Sequence, residues 1–452
     1  MINPGLLTIV LAAGKGTRMK SALPKVLHQI AGLSMLGHVL KLASQADNAR
    51  LAVVIGPEMD NVRAEALKRS PLASVYLQLN QLGTGNAVLA ACEAIAAHTG
   101  DVIVLYGDTP LLTPGTIARL RGALDGGANV AVLGFHAINP SGYGRLLTSG
   151  GELTAIREEK EATDSEREIT FCNSGVLAFR CPDLLAILGA IKNTNAKGEF
   201  YLTDAVEIAR SHGLKAAAVS CPEEEVLGIN SRDQLASAEA IFQHHARQHA
   251  MAEGATLIAP GTVFLSHDTR LGRDVTIEPN VFFGPGVSVE DNVVIHANCH
   301  IVETRIRAGA RVGPFARLRP GADIGADVHI GNFVEVKNMT LEAGAKANHF
   351  AYLGDGCVGA GANIGAGTII CNYDGFNKHR TEIGAGAFIG SNSSLVAPVK
   401  IGDGAYVGSG SVITKDVPAG ALALERNELR IVEGWAAKFR TMMARKKAKA
   451  AE

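Results

Sequence analysis

Residues 383–413 read IGAGAFIGSNSSLVAPVKIGDGAYVGSGSVI. Ile383, Ile389, Leu395, Ile401, Val407 and Ile413 recur every six residues, and Gly directly follows four of them. A period of six matches neither the helical repeat near 3.6 nor the strand repeat of 2. It is the spacing of a parallel β-helix. There, six residues make one flat side, three sides make a coil, and one apolar side chain per side points inward.

The same ladder extends back toward the middle of the chain. It runs from Leu265 by sixes to Ile301, then, after one-residue slips, over positions 306–336, 341–353 and 358–370. All 25 ladder positions are apolar, where a composition of 47% hydrophobic residues would make about half of them so. Twenty-five sides amount to about eight coils. The ladder breaks at residues 371–382, which reads as a loop ejected from the coil.

The first half follows a different pattern. Leu6–Ala13, Ala52–Ile55, Val75–Leu79, Val102–Tyr106 and Asn129–Phe135 read as strands. Met35, Leu36, Val39, Leu40 and Leu42 have helical spacing, and Thr84–His98 is Ala-rich and helical. Alternating strands and helices imply a mostly parallel, doubly wound, Rossmann-like α/β sheet. Ligands of such sheets bind beyond the carboxyl ends of the strands. Arg232–Glu253 lacks Gly and Pro and reads as a connecting helix, while Leu424–Glu452 reads as a basic helical tail.

Composition narrows the function classes. The 452 residues carry 43 Lys and Arg against 44 Asp and Glu, which argues against bulk nucleic-acid binding. No uncharged apolar run approaches the ~20 residues of a membrane span. The seven cysteines are scattered, odd in number and without a CxxC pair, as in a reduced cytoplasmic protein with no zinc site. His245 and His249 are spaced i, i+4 but lack the Glu of HExxH, so they read as surface residues. The basic tail reads as a solvated helix end.

Three motifs sit at strand ends. Leu11-Ala12-Ala13-Gly14-Lys15-Gly16-Thr17-Arg18-Met19 could hold a phosphate on backbone N–H groups or simply make a tight turn. Asp108, after Tyr106-Gly107, could hold Mg²⁺ or cap the next turn. Gln78, Gln81, Gly83 and Thr84 occupy a strand-to-helix loop where amides could read a base edge.

Together with Pro24-Lys25, Gly142-Tyr143-Gly144-Arg145, Glu158, Cys172-Asn173-Ser174-Gly175 and Gly228-Ile229-Asn230, these motifs resemble the sugar-1-phosphate nucleotidyltransferase family over about 230 residues. With the hexapeptide ladder added, the whole chain resembles the family of bacterial bifunctional N-acetylglucosamine-1-phosphate uridylyltransferases and glucosamine-1-phosphate N-acetyltransferases. That resemblance implies a nucleotidyltransferase domain over 1–230, a connecting helix over 231–253, a left-handed β-helix acetyltransferase domain over 254–424 and a tail over 425–452. It implies Mg²⁺ on Asp108 and Asn230, with Arg18 and Lys25 as catalytic cations on the phosphates. Leu11, Ala12, Gly14, Gln78, Gln81, Gly83 and Thr84 would hold the uridine nucleotide, and Gly144, Glu158 and Asn173 the N-acetyl sugar. Ser174 stands where relatives more often have Thr.

The second half has its own interruptions. Arg317-Leu318-Arg319-Pro320, Asn332–Lys337, Asn348–Tyr352 and Cys371–Gly375 break the plain repeat. His349 is a candidate general base, since imidazole titrates closest to neutrality. The resemblance implies that His349 deprotonates the amino group of glucosamine-1-phosphate as it attacks acetyl-CoA. Arg319, Lys337 and Lys378 would bind the phosphate, and Tyr352, Asn363 and Asn372 the sugar. Asn372, Tyr373, Ser391, Ser409 and Arg426 would lie along acetyl-CoA, with Ser391 near the oxyanion. Ala351 departs from the Thr or Ser usual between His and Tyr. The family is implied to be a homotrimer joined through the β-helix, supplying precursor for peptidoglycan and lipopolysaccharide. Two alternatives remain open on the residues: a single-activity nucleotidyltransferase with a structural β-helix, and a silent scaffold.

Overall fold

The computed structural model describes residues 5–45, 50–426 and 428–449. Residues 1–4 and 46–49 of the expected first domain, and 427 and 450–452 of the expected tail, lie outside the described residues. The chain divides into two compact units. The first runs to Ala252 and takes in Phe264–Thr269; the second is Glu253–Val263 and the chain from Arg270.

Apolar strands of the first unit build one sheet between two layers of helix. The strands are β1 (Leu6–Leu11), β2 (Arg50–Ile55), β3 (Ser74–Leu77), β4 (Asp101–Tyr106), β5 (Val130–His136), β6 (Arg145–Ser149), β7 (Glu152–Arg157), β8 (Phe171–Arg180) and β9 (Ala216–Ser220). Their order is β9-β5-β8-β4-β1-β2-β3, with the β6–β7 hairpin attached to β8. All main-path pairs are parallel except those of β8, which runs antiparallel to β4 and β5. One core holds Val10, Val53, Leu105 and Leu133, and the other Ile9, Val54, Val104 and Val132. Alternate residues of each strand thus serve opposite faces, as a doubly covered sheet requires. The segment expected as one helix over Thr84–His98 is two, Thr84–Leu89 and Cys92–Ala96, parted at a turn whose Ala91 is fully buried.

The helix α1 (Met35–Ala43) starts where the Ser34 hydroxyl accepts from Gly37 N–H. The long helix Arg232–Ala252 packs Ala238, Leu235 and Phe242 near Ile30, Met35 and Ile229 of the same unit. Among the described residues no helix is long and apolar enough to cross a membrane.

The second unit is a left-handed parallel β-helix made of strands two to seven residues long. Ile277 pairs with Ile295, Ile295 with Val312, and Val312 with Ile330, so equivalent residues return after 17 or 18 positions, three sides per coil. Of the 25 ladder residues all but Leu271 are buried. The loop between Ile369–Cys371 and Thr381–Ile383 is ejected and braced by Asp374, which accepts from Phe376 N–H, Asn377 N–H and His379 Nε2. Among the described residues the tail is helical only over Trp435–Lys449. Gly434, in the left-handed region at φ 71°, marks where the helix begins, and the preceding Ile431-Val432 pair is β-branched and a poor helix former.

One buried group ties the first unit to pH. His38 is 9% exposed and donates from Nε2 to the Ile30 carbonyl at 2.8 Å. Burial lowers its pKa to about 4, with His267, Lys41 and Arg69 adding to the effect. An unfolded His titrates near 6.5, so between these values the unfolded chain binds a proton that the folded chain excludes. This contribution to stability is complete above about pH 6.5 and is lost as pH falls toward 4, by on the order of 3 kcal/mol. His38→Gln, which keeps a donor for Ile30, should flatten the loss of unfolding midpoint between pH 7.5 and 5 relative to the unaltered chain; parallel curves for the two proteins would contradict this.

Candidate active sites

The carboxyl ends of β1 and β4 frame a cavity of about 340 Å³. Nine of the residues singled out from sequence line it: Leu11, Ala12, Gly14, Lys25, Gln78, Gln81, Gly83, Thr84 and Asp108. Lys25 is the hub. Its ammonium donates to Asp108 Oδ2 and, at 2.9 Å, to Asn230 Oδ1, residues 83 and 205 positions away in sequence. Gly16 makes this possible: it sits at φ 64°, and a Cβ there would lie 2.4 Å from Lys25 Cβ.

The base side of the cavity is wired through amides. Gln78, buried, donates from Nε2 to Gly83 O at 3.2 Å and to Asn86 Oδ1 at 2.9 Å, so its carbonyl oxygen remains as the acceptor. Gln81 Nε2 donates to the Ala13 carbonyl and joins the two loops.

The sugar-binding candidates gather on neighbouring strands. Asn173 N–H donates to Gly144 O at 2.8 Å, and Asn173 Oδ1 accepts from Gly175 N–H at 3.0 Å. Glu158 accepts from Thr203 Oγ1 at 3.1 Å. Burial raises the Glu158 pKa above its ordinary value, with Glu161 and Glu199 adding to the effect. Arg145, 1% exposed, pairs with Glu159 at 2.8 Å and donates to the carbonyls of Tyr143 and Arg167, fixing the strand ends that carry Gly144 and Glu158. Arg18 is exposed and lines no part of the cavity.

Three groups here escaped the sequence reading. Tyr106 and Glu199 line the cavity, and Thr203 holds Glu158. Tyr106 directly precedes Gly107-Asp108, and its place at a strand end was the available signal. Glu199 and Thr203 belong to a segment without a recognisable motif. It reaches the cavity through non-local bonds: Phe200 N–H to Leu82 O, Gly85 N–H to Phe200 O (both 2.8 Å) and Leu202 N–H to Thr84 Oγ1 (3.0 Å).

On the β-helix, the candidates fall into three groups. His349 Nδ1 lies 2.8 Å from Asn332 Oδ1 on the neighbouring coil. An amide oxygen only accepts, so Nδ1 donates, and in the neutral imidazole the lone pair is on Nε2. The second group is cationic. Arg319 and Lys337 follow the paired core residues Leu318 and Val336 on successive coils, and Lys378 lies against Lys337. The Lys337 ammonium is held below its ordinary value chiefly by Lys378, then by burial and Arg319, with Asp355 opposing. Tyr352 and Asn372 adjoin this group, 3.4 Å apart at Oη and Nδ2. The third group is Ser391, Ser409 and Arg426: Gly410 N–H donates to Ser391 O at 2.8 Å, and Arg426 Nη1 to Ser409 O at 3.1 Å. Among the described residues no hydrogen bond links His349 to the other groups. Asn363 stands on the strand pairing with Lys346 and Phe388, and the Tyr373 hydroxyl bonds within its own loop.

A nucleotide-sized cavity at the carboxyl edge of an α/β sheet, followed by a hexapeptide coil, defines a two-domain transferase. Residues 8–167 match the MobA-like NTP transferase domain, and residues 268–302 and 380–415 match the bacterial transferase hexapeptide (six repeats). The chain is 61% identical to the bifunctional protein GlmU of Azorhizobium caulinodans over 99% of its own length and 100% of that protein. It is 58% identical to that of Xanthobacter autotrophicus over 99% and 100%, and 54% identical to that of Agrobacterium fabrum over 96% of each. The chain belongs to the bifunctional GlmU family, and it carries both a uridylyltransferase and an acetyltransferase activity.

Gly83 offers a local test of the cavity. At φ 111° it would place a Cβ 2.7 Å from Phe200 O and 2.8 Å from Phe200 N. Gly83→Ala should push the Glu199–Phe200 segment out of place and lower uridylyl transfer by about 100-fold. Acetyl transfer by the same preparation should be unchanged; full uridylyl transfer would contradict the geometry.

Proposed function

We propose that the chain makes UDP-N-acetylglucosamine from glucosamine-1-phosphate in two steps. Acetyl-CoA donates an acetyl group to the amino group on the β-helix, and the N-acetylated sugar phosphate then reacts with UTP at the sheet, releasing pyrophosphate. One observation carries this reading. A single chain holds two separate constellations, Lys25–Asp108–Asn230 and His349–Asn332 with the Arg319/Lys337/Lys378 cations, in different units.

For acetyl transfer, the neutral sugar amine attacks the thioester carbonyl while His349 Nε2 takes the proton its nitrogen loses; the tetrahedral intermediate then breaks its C–S bond, and the CoA thiolate leaves and takes up that proton. The Asn332 bond keeps the imidazole in the tautomer this requires. Arg319, Lys337 and Lys378 hold the phosphate, while Tyr352, Asn363 and Asn372 hold the ring. Asn372, Tyr373, Ser391, Ser409 and Arg426 lie along acetyl-CoA, with the Ser391 hydroxyl stabilising the oxyanion.

For uridylyl transfer no protein nucleophile is required. The sugar phosphate oxygen attacks the α-phosphorus in line, so alignment and charge neutralisation suffice. Gln78 and Gln81 with Gly83 and Thr84 orient the base, Gly144, Glu158 and Asn173 orient the sugar, and Lys25 with the exposed cation of Arg18 offsets phosphate charge. Asp108 and Asn230 fit a hard divalent ion. Two oxygens of the right kind already converge on one cation, the Lys25 ammonium, and Mg²⁺ usually takes only one or two protein ligands. When bound, Mg²⁺ would supply positive charge against the triphosphate.

A homotrimer through the β-helix accords with a row of exposed, stacked rings. Phe315, Phe333 and Phe350, each about half exposed, lie 5.1 and 5.3 Å apart on successive coils beside His349. Apolar rows of this kind mark interfaces. A cytoplasmic location accords with seven free thiols.

The two halves are separable by substitution. His349→Ala should abolish acetyl transfer and leave uridylyl transfer intact, and Asp108→Ala should do the reverse. Both activities are measured on each folded variant; loss of both in either one would overturn the assignment of separate sites.

A further inference from the structure

Beside the cationic group lies a carboxylate to which none of these roles is assigned. Asp355 is 6% exposed and sits in the left-handed region at φ 56°, a conformation Asp tolerates better than most residues. Its Oδ1 accepts from Asn338 Nδ2 at 2.7 Å, and its Oδ2 from Asn372 Nδ2 at 2.5 Å. Burial alone would push the carboxyl up. The two amide donors and the nearby Lys337 and Lys378 ammoniums outweigh it and hold the group below its ordinary value. Asp355 is therefore ionised at neutral pH, and an ionised carboxylate can only accept hydrogen bonds.

That fact decides which way Asn372 faces. The amide must turn its NH₂ toward Asp355, and its second N–H points to the Tyr352 hydroxyl at 3.4 Å. The carbonyl oxygen is left to receive a donor from outside the protein. Gly354 keeps the space open, since a Cβ there would lie 2.6 Å from the Tyr352 hydroxyl and 2.8 Å from Asn372 Nδ2.

We propose that Asp355 is a positioning residue for acetyl transfer: it locks Asn372 as an acceptor for a sugar hydroxyl or amino group, and its charge balances the Lys337 and Lys378 ammonium pair that takes the phosphate. The inference rests on the reading of Asn372, Lys337 and Lys378 as the sugar-phosphate site. The charged groups facing Lys337 are Lys378, Arg319 and Asp355; Glu335 is engaged with Arg319 at 2.7 Å and with Arg317 at 3.5 Å. Removing the Asp355 charge leaves only cations opposite Lys337, so one lysine gives up its proton at lower pH.

The test is steady-state kinetics of Asp355→Asn in the full chain, with glucosamine-1-phosphate and acetyl-CoA varied separately from pH 6.5 to 9.5. KM for glucosamine-1-phosphate should rise roughly tenfold or more. Its alkaline increase should begin at lower pH than in the unaltered chain. KM for acetyl-CoA should move less than that for glucosamine-1-phosphate, since Asn372 is one of five residues along that co-substrate, and the rate of uridylyl transfer should stay as it was. An unchanged KM and pH profile would overturn the proposal. So would an equal loss in kcat with both substrates affected alike, which marks a structural role only. Lys337→Ala is assayed alongside: if it leaves KM for glucosamine-1-phosphate unmoved, the reading of the site itself is wrong.

Discussion

Every sixth side chain of the second unit must be apolar and point inward, and the residue two before it must be small enough to be buried beside it, as Val275, Ala310, Ala345 and Ala387 are. That constraint is strict in the core and loose everywhere else. Four of six positions are left to serve turns, pairing and chemistry. Coils stack in register, so a residue chosen on one flank lies beside its equivalent one coil away. Arg319 next to Lys337, and His349 next to Asn332, are products of this stacking. A site can thus be assembled from residues 17 or 18 apart without any helix or domain motion to bring them together.

The first unit solves the same problem by other means. Its strands are covered on both faces, so polar groups collect at their carboxyl ends, where the chain leaves the sheet. Lys25, Asp108 and Asn230 come from three distant places and meet at one point. A lysine between two oxygen ligands keeps the carboxylate from standing uncompensated in a partly buried cleft. It also marks the location where phosphate charge and its counter-cation would be exchanged. Chemistry that requires alignment and charge, with no covalent protein intermediate, fits a site of this composition.

What could be read from sequence divides along the same line. The six-residue ladder is local and periodic, and all its positions but Leu271 are buried. Strand-end motifs such as Gly14, Gln78 and Asp108 were also legible, because a turn residue next to an apolar run reveals its own place. Glu199, Thr203 and Asp355 were not. Glu199 reaches the cavity only through bonds to the loop at 82–85, and Asp355 acquires its meaning from Asn338 and Asn372 on adjacent coils. The break at Ala91 within an Ala-rich segment was hidden for a related reason: helix propensity favoured continuity, and packing against the sheet prevailed. Periodicity reports which way a residue faces; it does not report which distant residue it will meet.

Both transfers performed in succession by one unaltered polypeptide are what the two sites together imply. The most direct measurement is a single incubation of the purified chain with glucosamine-1-phosphate, acetyl-CoA, UTP and Mg²⁺, its products identified by mass spectrometry. UDP-N-acetylglucosamine and pyrophosphate are the expected products, with N-acetylglucosamine-1-phosphate appearing first. Accumulation of the acetylated sugar phosphate with no nucleotide sugar, or UDP-N-acetylglucosamine formed only when the acetylated sugar is supplied ready-made, would contradict it.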